Sequence, residues 1–427
     1  MIKFTAVGDT AIQKRLPKYY DGFQEVKDFI MQGDVRFFNL ETTVNRDCYG
    51  NFYSGGTWLR TDERVLKDTL EYGFNLTTFA NNHCMDFSYN GMLQTLDNLD
   101  DVGYVHAGVG RNLTEAASPK YLDTPNGRVA LIACSFNFAP GALAGEQSRR
   151  LPGRPGVNGI RLNKRIVITE EQSKTIKEIA AQTMINYSNE SSRKSGYALP
   201  LPEGVVEFGE TLFEIGETPD IKTTVNVEDI ERLKKYVKEA EFQADYVVVS
   251  IHNHTRYRDE RDYPADFMVD FCHQLIDAGA HVILGHGPHC IHPLEIYKEK
   301  PIFYSLGDFL LQLENCELAP EEFYHKYGLT SSASMYDLFK TRTRDFTCGL
   351  QRVPVMMEAI VPYFEMENGK VTKIEIVPVE LGLGQKHSQI GWPRIAKNND
   401  ILLRFEEMCK RFNTKMVIDD RKATIIL

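Results

Sequence analysis

Five apolar segments of the chain end at residues whose side chains can bind divalent metals. The segments are VGD, FFNLE, TTFANNH, VVVSIHNH and HVILGHGPH, and each apolar run stops at a carboxylate, an amide or an imidazole. The candidate metal ligands at these ends are Asp9, Glu41, Asn82, His252, His254, His286 and His289. Carboxylate oxygen, amide oxygen and imidazole nitrogen together suit Mn²⁺, Zn²⁺ or Fe, and the lack of cysteine ligands argues against a structural zinc site.

One such strand end would carry little information. An Asp after a strand is commonly a turn residue, a core His is usually hydrogen-bonded to protein, and paired Asn residues cap helices. The pattern recurs at five separate ends, and ligands of open α/β sheets bind where the carboxyl ends of strands meet. We therefore predict one shared metal site.

The segment LGHGPHCIH (284–292) holds three of the histidines within seven positions. His286 and His289 follow the apolar run directly, so both are predicted ligands. His292 lies beyond the end of that run. Two alternatives are open for His292: it packs inside the protein, or it faces the substrate.

The elements that must position these residues alternate between helices and buried strands, which is typical of an α/β fold. Strands are predicted at 2–9, 35–41, 74–80, 128–136, 245–251, 281–285 and 301–311, and helices at 64–73, 91–103, 228–242 and 264–280. A hairpin over 353–381, turning at Asn368-Gly369, makes the predicted sheet arrangement mixed and not purely parallel.

The same pattern predicts the organisation of the chain. A main domain covers 1–385 and contains an insertion at about 140–225, where Gly, Pro, Ser and Asn cluster and periodicity is weak. A lid-like segment is expected at about 315–346. The remaining residues, 386–427, are expected to form a C-terminal extension packed on the domain.

Composition excludes several classes of protein. The net charge of −10 argues against nucleic-acid binding. Eight scattered cysteines without a C-x-x-C pair indicate reduced thiols. No apolar run is long enough to cross a bilayer and no export signal is recognisable, so a cytoplasmic location is expected. The oligomeric state is left open.

The ordered motifs GD, NLE, ANNH-x-x-D, SIH-x-H, GHGPH and KPIFYSLGDF resemble those of the CapA family of capsule (poly-gamma-glutamate) biosynthesis proteins. That family is similar to the calcineurin-like metallophosphatases, and the resemblance spans roughly residues 3–382. It implies a four-layer α/β/β/α sandwich of two mixed sheets, with one or two divalent metals at the strand ends between the sheets.

The resemblance also implies roles for individual residues. Glu41 resembles the acidic residue that bridges two metals. Asn82, His252 and His286 would hold the second metal. Asp9 and His289 would hold the first.

One departure from the metallophosphatase pattern affects the first metal. The first motif of those enzymes is Asp-x-His, whereas here Asp9 is followed by Thr10 and Ala11. His254 could supply the missing ligand, since alternate residues of a strand point the same way. One metal and two metals both remain open.

A bound metal would generate hydroxide at neutral pH and polarise the bond under attack. By resemblance, His83 hydrogen-bonds the substrate or protonates its leaving group. Asp86 could orient His83, or could simply be a helix-start carboxylate.

Residues that contact substrate are predicted near this site. Asn81 is one of them. The stretch 149–165 carries six basic residues and no acidic ones. It is either a solvated face or an anion clamp built on Arg154 and Arg161. Arg342 and Arg344 offer a second cationic site on the lid-like segment.

Two functions follow from these observations. The first is a metal-dependent hydrolase or transferase that acts on an anionic small molecule or polymer, through a gamma-glutamyl-type amide or a phosphoester. The second is a non-catalytic capsule-assembly or binding component that retains a metal site. The retained set of candidate ligands favours the enzyme, and the departure after Asp9 favours the second function.

Overall fold

The computed structural model describes residues 1–18 and 20–427, and only the backbone at residue 387. The chain forms two compact units. Residues 1–160 and 229–427 form the first, here called the main unit. Residues 161–228 form the second, here called the inserted unit.

The larger sheet of the main unit has ten strands. In spatial order, eight of them are Lys415–Asp419, Lys422–Ile426, Lys370–Glu380, Glu358–Glu367, Ile2–Ala11, Val35–Leu40, Leu76–Thr78 and Val105–Ala107. Asp308–Leu311 also pairs with Ile2–Ala11, and Arg394–Ile395 with Lys370–Glu380. Ile2–Ala11 is parallel to Val35–Leu40 and antiparallel to Glu358–Glu367, so the sheet is mixed.

The smaller sheet of the main unit has six strands. Their order is Ile291–Tyr297, Lys300–Leu306, Val282–His286, Tyr246–His252, Gly127–Ser135 and Lys120–Thr124. Its central strands are parallel and almost wholly apolar, as expected for strands buried on both faces.

The two sheets pack against each other through one hydrophobic core. Phe4 of the larger sheet meets Tyr246 of the smaller one edge to face, with ring centroids 6.2 Å apart. Phe364 and Phe303 make a second contact between the sheets at 5.5 Å. The predicted α/β fold with mixed sheets is confirmed at this level.

The remaining elements are helices and short strand pairs. The helices that lie wholly or mostly in the main unit are Phe23–Ile30, Val65–Glu71, Ser88–Asp101, Leu113–Ala117, Val227–Glu241, Asp266–Asp277, Glu321–Lys326, Met335–Arg342 and Asp400–Cys409. The short pairs are Thr43–Val44 with Arg60–Thr61, Val109–Gly110 with Gly156–Val157, Gly145–Gln147 with Pro152–Arg154, and Arg256–Tyr257 with Glu260–Pro264.

The inserted unit has its own secondary structure. Its four strands are ordered Val205–Phe208, Thr211–Ile215, Leu162–Ile168 and Asp220–Val225, and its helices are Glu170–Thr183 and Tyr187–Lys194. A capping box between Thr169 and Gln172 starts the first helix. The unit begins at residue 161 and not near 140, because Gly156–Val157 pairs with Val109–Gly110 in the main unit.

Two other predicted segments belong to the main unit. The C-terminal residues contribute three strands to the larger sheet. The segment at 315–346 contains two helices whose residues Phe323 and Leu338 are fully buried. Its role as a lid stays a prediction. Within the described residues, no helix is both long and apolar enough to span a membrane.

Candidate metal centre

Strand register brings the predicted strand ends together. In the larger sheet, Asp9 is paired with Asn39 on one side and with Asp308 on the other. Gly8 permits this pairing, because a Cβ atom there would lie 1.9 Å from the Gly307 carbonyl oxygen. In the smaller sheet, His252 and His286 are direct neighbours on adjacent parallel strands.

The result is a set of three overlapping groups of metal-binding side chains. The groups are Asp9 with His252 and His286; Glu41 with His252 and His254; and Asp9, Glu41, His289 and Asp308. Within each group the candidate ligand atoms lie within 4.8 Å of one another. The last group has four members, so the position next to Asp9 does not lack protein donors despite Thr10 and Ala11.

Glu41 belongs to two of these three groups. Its carboxylate is fully buried, and neither oxygen has a hydrogen-bond partner. Its Oε1 lies 4.0 Å from Nε2 of His83, 3.8 Å from Nε2 of His252 and 3.9 Å from Nε2 of His289. These distances are too long for hydrogen bonds. Burial, and then the charge of Asp9, raise the pKa of Glu41 well above its usual range.

Two further buried oxygens share this lack of partners. Asn82 donates its Nδ2 to the Gly55 carbonyl at 2.9 Å, while its Oδ1 has no hydrogen-bond partner. Asp308 Oδ1 is hydrogen-bonded to His289 Nδ1, and Asp308 Oδ2 has no hydrogen-bond partner. Buried polar atoms are normally satisfied. Unpaired oxygens beside several imidazoles form the donor set that a divalent cation satisfies, so these residues fit a metal.

The histidines of the smaller sheet contact one another in a row. His252 Nδ1 lies 2.9 Å from His286 Nδ1, and His252 Nε2 lies 2.9 Å from His254 Nε2. Ser250 Oγ contacts His286 Nε2 at 2.8 Å. Burial, and then the neighbouring imidazoles, lower the pKa of His252 well below its usual range and that of His254 to about 3. The imidazoles of His252 and His254 therefore favour the neutral form, which is the form that ligates metals.

His289 has the opposite electrostatics. Its Nδ1 contacts Asp308 Oδ1 at 2.9 Å. Burial lowers the pKa of His289, but the charges of Asp308 and Glu41 outweigh burial and hold the pKa well above its usual range. Burial opposes the charged form of Asp9 too, yet its hydrogen bond with His286 lowers the pKa of that carboxyl. The carboxyl groups of Asp9, Glu41 and Asp308 thus favour positive charge at this point, which a divalent cation would also supply.

His83 and Asp86 form a buried dyad beside Glu41. His83 Nδ1 lies 2.6 Å from Asp86 Oδ2. Asp86 also accepts hydrogen bonds from the backbone N–H groups of Gly55 and Leu59, at 2.9 Å and 2.8 Å. Asp86 was predicted either to orient His83 or to be a helix-start carboxylate, and the geometry favours orientation of the imidazole. Its Nε2 faces Glu41, and a role in proton transfer stays a prediction.

Asn81 is held by hydrogen bonds to neighbouring protein groups. It is fully buried, donates Nδ2 to the Leu40 carbonyl at 2.8 Å, and accepts from the His83 N–H at 3.1 Å. These contacts fix the loop that carries His83. Contact of Asn81 with substrate stays a prediction, and the structure gives the residue a positioning role.

The other predicted substrate residues lie outside these groups. Arg154 donates Nε to the Leu143 carbonyl at 2.9 Å. Arg161 belongs to the inserted unit and pairs there with Glu228 at 3.1 Å. His292 is buried, and its Nε2 contacts the Arg261 carbonyl at 2.9 Å, which favours the packed alternative.

Two residues of the centre were missing from the predicted set. Asp308 belongs to a ligand group, and Asn39 donates to Asp9 Oδ1 at 2.6 Å. The signal for Asp308 was present in the motif SLGDF, which repeats the Gly-Asp of the first strand. Asn39 lies inside a continuous strand and has no comparable signal.

Fold and site together define a two-sheet α/β protein with a buried candidate metal centre at its strand ends. The chain belongs to the family described as bacterial capsule synthesis protein PGA_cap, whose profile matches residues 3–313. The resemblance to the capsule biosynthesis family is thereby confirmed.

The chain is also similar to individual proteins in sequence or in structure. Protein y4sH of Sinorhizobium fredii is 29% identical over 99% of this chain and 92% of its own length. The PGA biosynthesis protein CapA of Bacillus subtilis is 30% identical over 84% of this chain and 64% of its own length. Among solved structures, a hypothetical protein from Thermus thermophilus aligns with a TM-score of 0.41 and 11% identity, over 89% of this chain and 99% of that one.

Proposed function

We propose that the chain is a metal-dependent hydrolase that acts on an anionic substrate in the synthesis or processing of a capsule polymer. The observation that carries this proposal is the buried, unpaired Glu41 carboxylate with three imidazole nitrogens at 3.8 to 4.0 Å. An unneutralised carboxylate is costly in such a place, and structural cores rarely retain one. The proposed architecture is the four-layer α/β/β/α sandwich of metallophosphatase-like proteins.

One or two divalent cations, Mn²⁺, Zn²⁺ or Fe, are the proposed cofactors. Asp9, Glu41, His252, His286 and His289 are their proposed ligands, with His254, Asn82 and Asp308 completing the set. When bound, such a cation supplies an activated hydroxide and polarises the bond under attack.

The chain's own residues supply the proton transfer. Asp86 holds Nδ1 of His83, so the free Nε2 points toward Glu41 and the space between the sheets' strand ends. From there His83 donates its proton to the departing atom of the substrate. The backbone bonds from Gly55 and Leu59 keep Asp86 in place while the imidazole changes charge.

The proposed substrate is an anionic chain cleaved at a gamma-glutamyl-type amide, or a phosphoester. Support for the amide comes from relatives named for PGA biosynthesis and from the family description. The phosphoester alternative rests on the resemblance of the motifs to metallophosphatases.

A non-catalytic assembly component is the second candidate. Ala11 favours it, because a metallophosphatase-type first motif has histidine there and Ala11 offers no donor. In this alternative the same residues would hold a metal as a scaffold, without turnover.

The experiment that separates these functions begins with the full chain stripped by a chelator and reloaded with Mn²⁺, Zn²⁺ or Fe²⁺. Metal content is measured by mass spectrometry. Turnover is measured with p-nitrophenyl phosphate and with gamma-glutamyl p-nitroanilide. The variants are Glu41→Gln, His83→Ala and, as a matched control, His325→Ala, an exposed histidine on the helix Glu321–Lys326.

For the hydrolase, Glu41→Gln loses metal, and His83→Ala keeps metal while turnover falls about 100- to 10,000-fold. His325→Ala behaves as wild type. If the wild type and the variants turn over neither substrate although metal is bound, the result supports the assembly component. Failure to retain any of the three metals would overturn both.

A further inference from the structure

The loop 55–59, here called the support loop, carries the backbone groups that hold the buried dyad of the candidate metal centre. Gly55 donates its N–H to one oxygen of Asp86 at 2.9 Å, and Leu59 donates its N–H to the other oxygen at 2.8 Å. The Gly55 carbonyl also accepts from Asn82 Nδ2 at 2.9 Å. The position of the support loop therefore affects both the dyad and a proposed metal ligand.

The support loop has a permissive backbone. It begins with two glycines, and Gly56 has a φ of 139°, in the region that glycine favours. A Cβ atom on Gly56 would meet nothing within 4 Å, so no neighbour restricts the backbone on that side. Contacts from elsewhere in the chain must therefore fix the loop.

Arg342 supplies such a contact from the segment 315–346. Its Nη1 donates to the Thr57 hydroxyl at 2.5 Å, and Thr57 is buried in the middle of the support loop. A hydrogen bond from a charged donor is stronger than one between neutral groups. The Arg342 guanidinium carbon also lies 5.4 Å from the ring centroid of Phe323, which packs against the Trp58 ring at 5.2 Å. Arg342 therefore joins this segment to the centre of the support loop.

A strained turn fixes the end of the helix that carries Arg342. The helix Met335–Arg342 is soon followed by three non-glycine residues, 344–346, whose backbone is left-handed with φ of 48°, 58° and 60°. Successive left-handed residues are costly and persist only where the surrounding structure fixes them. Thr343 closes the turn, because its carbonyl accepts from the Cys348 N–H at 3.0 Å. The fold thus ends this helix at Arg342 at an energetic cost.

We propose that Arg342 is a positioning residue of the candidate metal centre. Through Thr57 it holds the support loop, and through that loop it holds the Asp86 carboxylate and Asn82. Arg342 acts in this role without contacting the substrate. Its effect on catalysis rests on the hydrolase function proposed above, whereas its effect on the loop can be measured without metal or turnover.

Hydrogen–deuterium exchange of the full-length chain in EDTA tests the effect on the loop. The N–H groups of Gly55 and Leu59 are protected by Asp86, so their exchange reports how firmly the support loop is held. The effect on catalysis is tested on the same proteins reloaded with Mn²⁺, by metal content and by kcat and KM for p-nitrophenyl phosphate and gamma-glutamyl p-nitroanilide.

The variants remove the contact from either side. They are Arg342→Ala, Arg342→Lys, Thr57→Val and the double variant of Arg342→Ala with Thr57→Val. Thr57→Val leaves the packing of Arg342 on its ring intact, so it tests the contact even where Arg342→Ala does not fold. The matched control is Lys326→Gln, because Lys326 is an exposed cation of the same segment that also lies over a ring, that of Tyr327 at 6.0 Å.

Exchange of residues 55–59 should accelerate about tenfold or more in Arg342→Ala and in Thr57→Val. The double variant should exchange no faster than Arg342→Ala, because both changes break the same contact. Arg342→Lys should retain part of the protection, since its ammonium group can still donate, and Lys326→Gln should retain all of it. In Arg342→Ala, kcat should fall about tenfold while KM stays unchanged, because the dyad is displaced and substrate binding is not altered.

The positioning role is overturned if exchange of residues 55–59 in Thr57→Val and in every folded Arg342 variant equals that of wild type. It is also overturned if the effects of the two single changes add in the double variant, or if accelerated exchange leaves kcat of an active protein unchanged. A higher KM with unchanged exchange would overturn it as well, since Arg342 would then bind substrate. If exchange accelerates as expected but wild type turns over neither substrate, the positioning role stands and the hydrolase function fails.

Discussion

His83 Nδ1 and Asp86 Oδ2 are 2.6 Å apart, and both residues are buried beside the unpaired carboxylate of Glu41. Asp86 does more than hold the imidazole. Its two oxygens also accept the N–H groups of Gly55 and Leu59, so one carboxylate fixes both the histidine and the loop that covers Asn82. Loss of this carboxylate therefore affects position and stability together.

The first prediction concerns Asp86→Ala. This change leaves the buried N–H group of Leu59 and the half-buried N–H group of Gly55 without acceptors, and a buried unsatisfied group costs about 1–3 kcal/mol. The free energy of unfolding in urea should fall by at least that amount. Asp86→Asn keeps an acceptor oxygen, so its stability should fall less, while turnover falls about 10- to 100-fold because His83 loses its charged partner. Equal stability of the two variants would contradict this account.

A second prediction concerns Gly55, which lies against Asn82. A Cβ atom on Gly55 would lie 2.5 Å from Asn82 Nδ2 and 2.9 Å from the Asn82 carbonyl oxygen. Gly55→Ala must therefore displace Asn82, and metal affinity should fall about tenfold or more, as for other supporting residues of metal sites. The measurement is a competition titration with a chromogenic chelator.

Ser54→Ala is the control for that experiment, because it alters the same loop without adding an atom near Asn82. Its metal affinity should equal that of wild type. If Gly55→Ala also binds metal like wild type, Asn82 is not part of the metal site.

The convergence of the strand ends could be predicted from the sequence because each apolar run ends in a polar side chain. Asp308 could not be assigned in this way. The apolar stretch 301–311 looks like one strand, whereas the chain leaves the smaller sheet at Leu306, turns at Gly307 with φ of 78°, and enters the larger sheet at Asp308. Periodicity has no signal for a change of sheet.

The pairings between residues that are distant in the chain could not be predicted from the sequence either. The sequence allowed the strand ends to be grouped into one site. It did not predict that His252 would face Asp9 with one ring nitrogen and Glu41 with the other. The regular structure of the inserted unit was also missed. Its strands are short and half exposed, so tertiary pairing and not apolar periodicity defines them.

A third prediction concerns pH and the inserted unit. Arg193 donates to both oxygens of Glu207, at 3.0 Å and 2.6 Å, and this hydrogen bonding holds the pKa of Glu207 below its usual range. A carboxyl with a lowered pKa stabilises the fold above its unfolded pKa of about 4.3 and loses that contribution as pH falls through the folded pKa. Amide exchange of the strand Val205–Phe208 should therefore accelerate below that pH.

Glu207→Gln should remove this acceleration, because its amide does not titrate. Glu203→Gln, at an exposed position of the same unit, should leave it intact. Exchange rates must be corrected for the intrinsic effect of pH. An unchanged acceleration in Glu207→Gln would assign the acid sensitivity to other groups.

The last prediction concerns Glu41→Gln, which should stabilise the chelator-treated protein. Burial and the charge of Asp9 raise the pKa of Glu41, which means that the folded state disfavours its charged form. A neutral amide of the same shape removes that penalty, so the melting temperature of chelator-treated Glu41→Gln should exceed that of chelator-treated wild type. Functional sites commonly reduce stability in this way.

Added Mn²⁺ should reverse the order of the two proteins. A ligand that binds only the folded state stabilises by about 2.7 kcal/mol at 100 times its Kd. Wild type gains this contribution, and Glu41→Gln does not, because its amide is a weaker ligand than the carboxylate. Differential scanning calorimetry with and without the metal checks both halves. If the metal raises the melting temperature of both proteins equally, Glu41 is not a ligand.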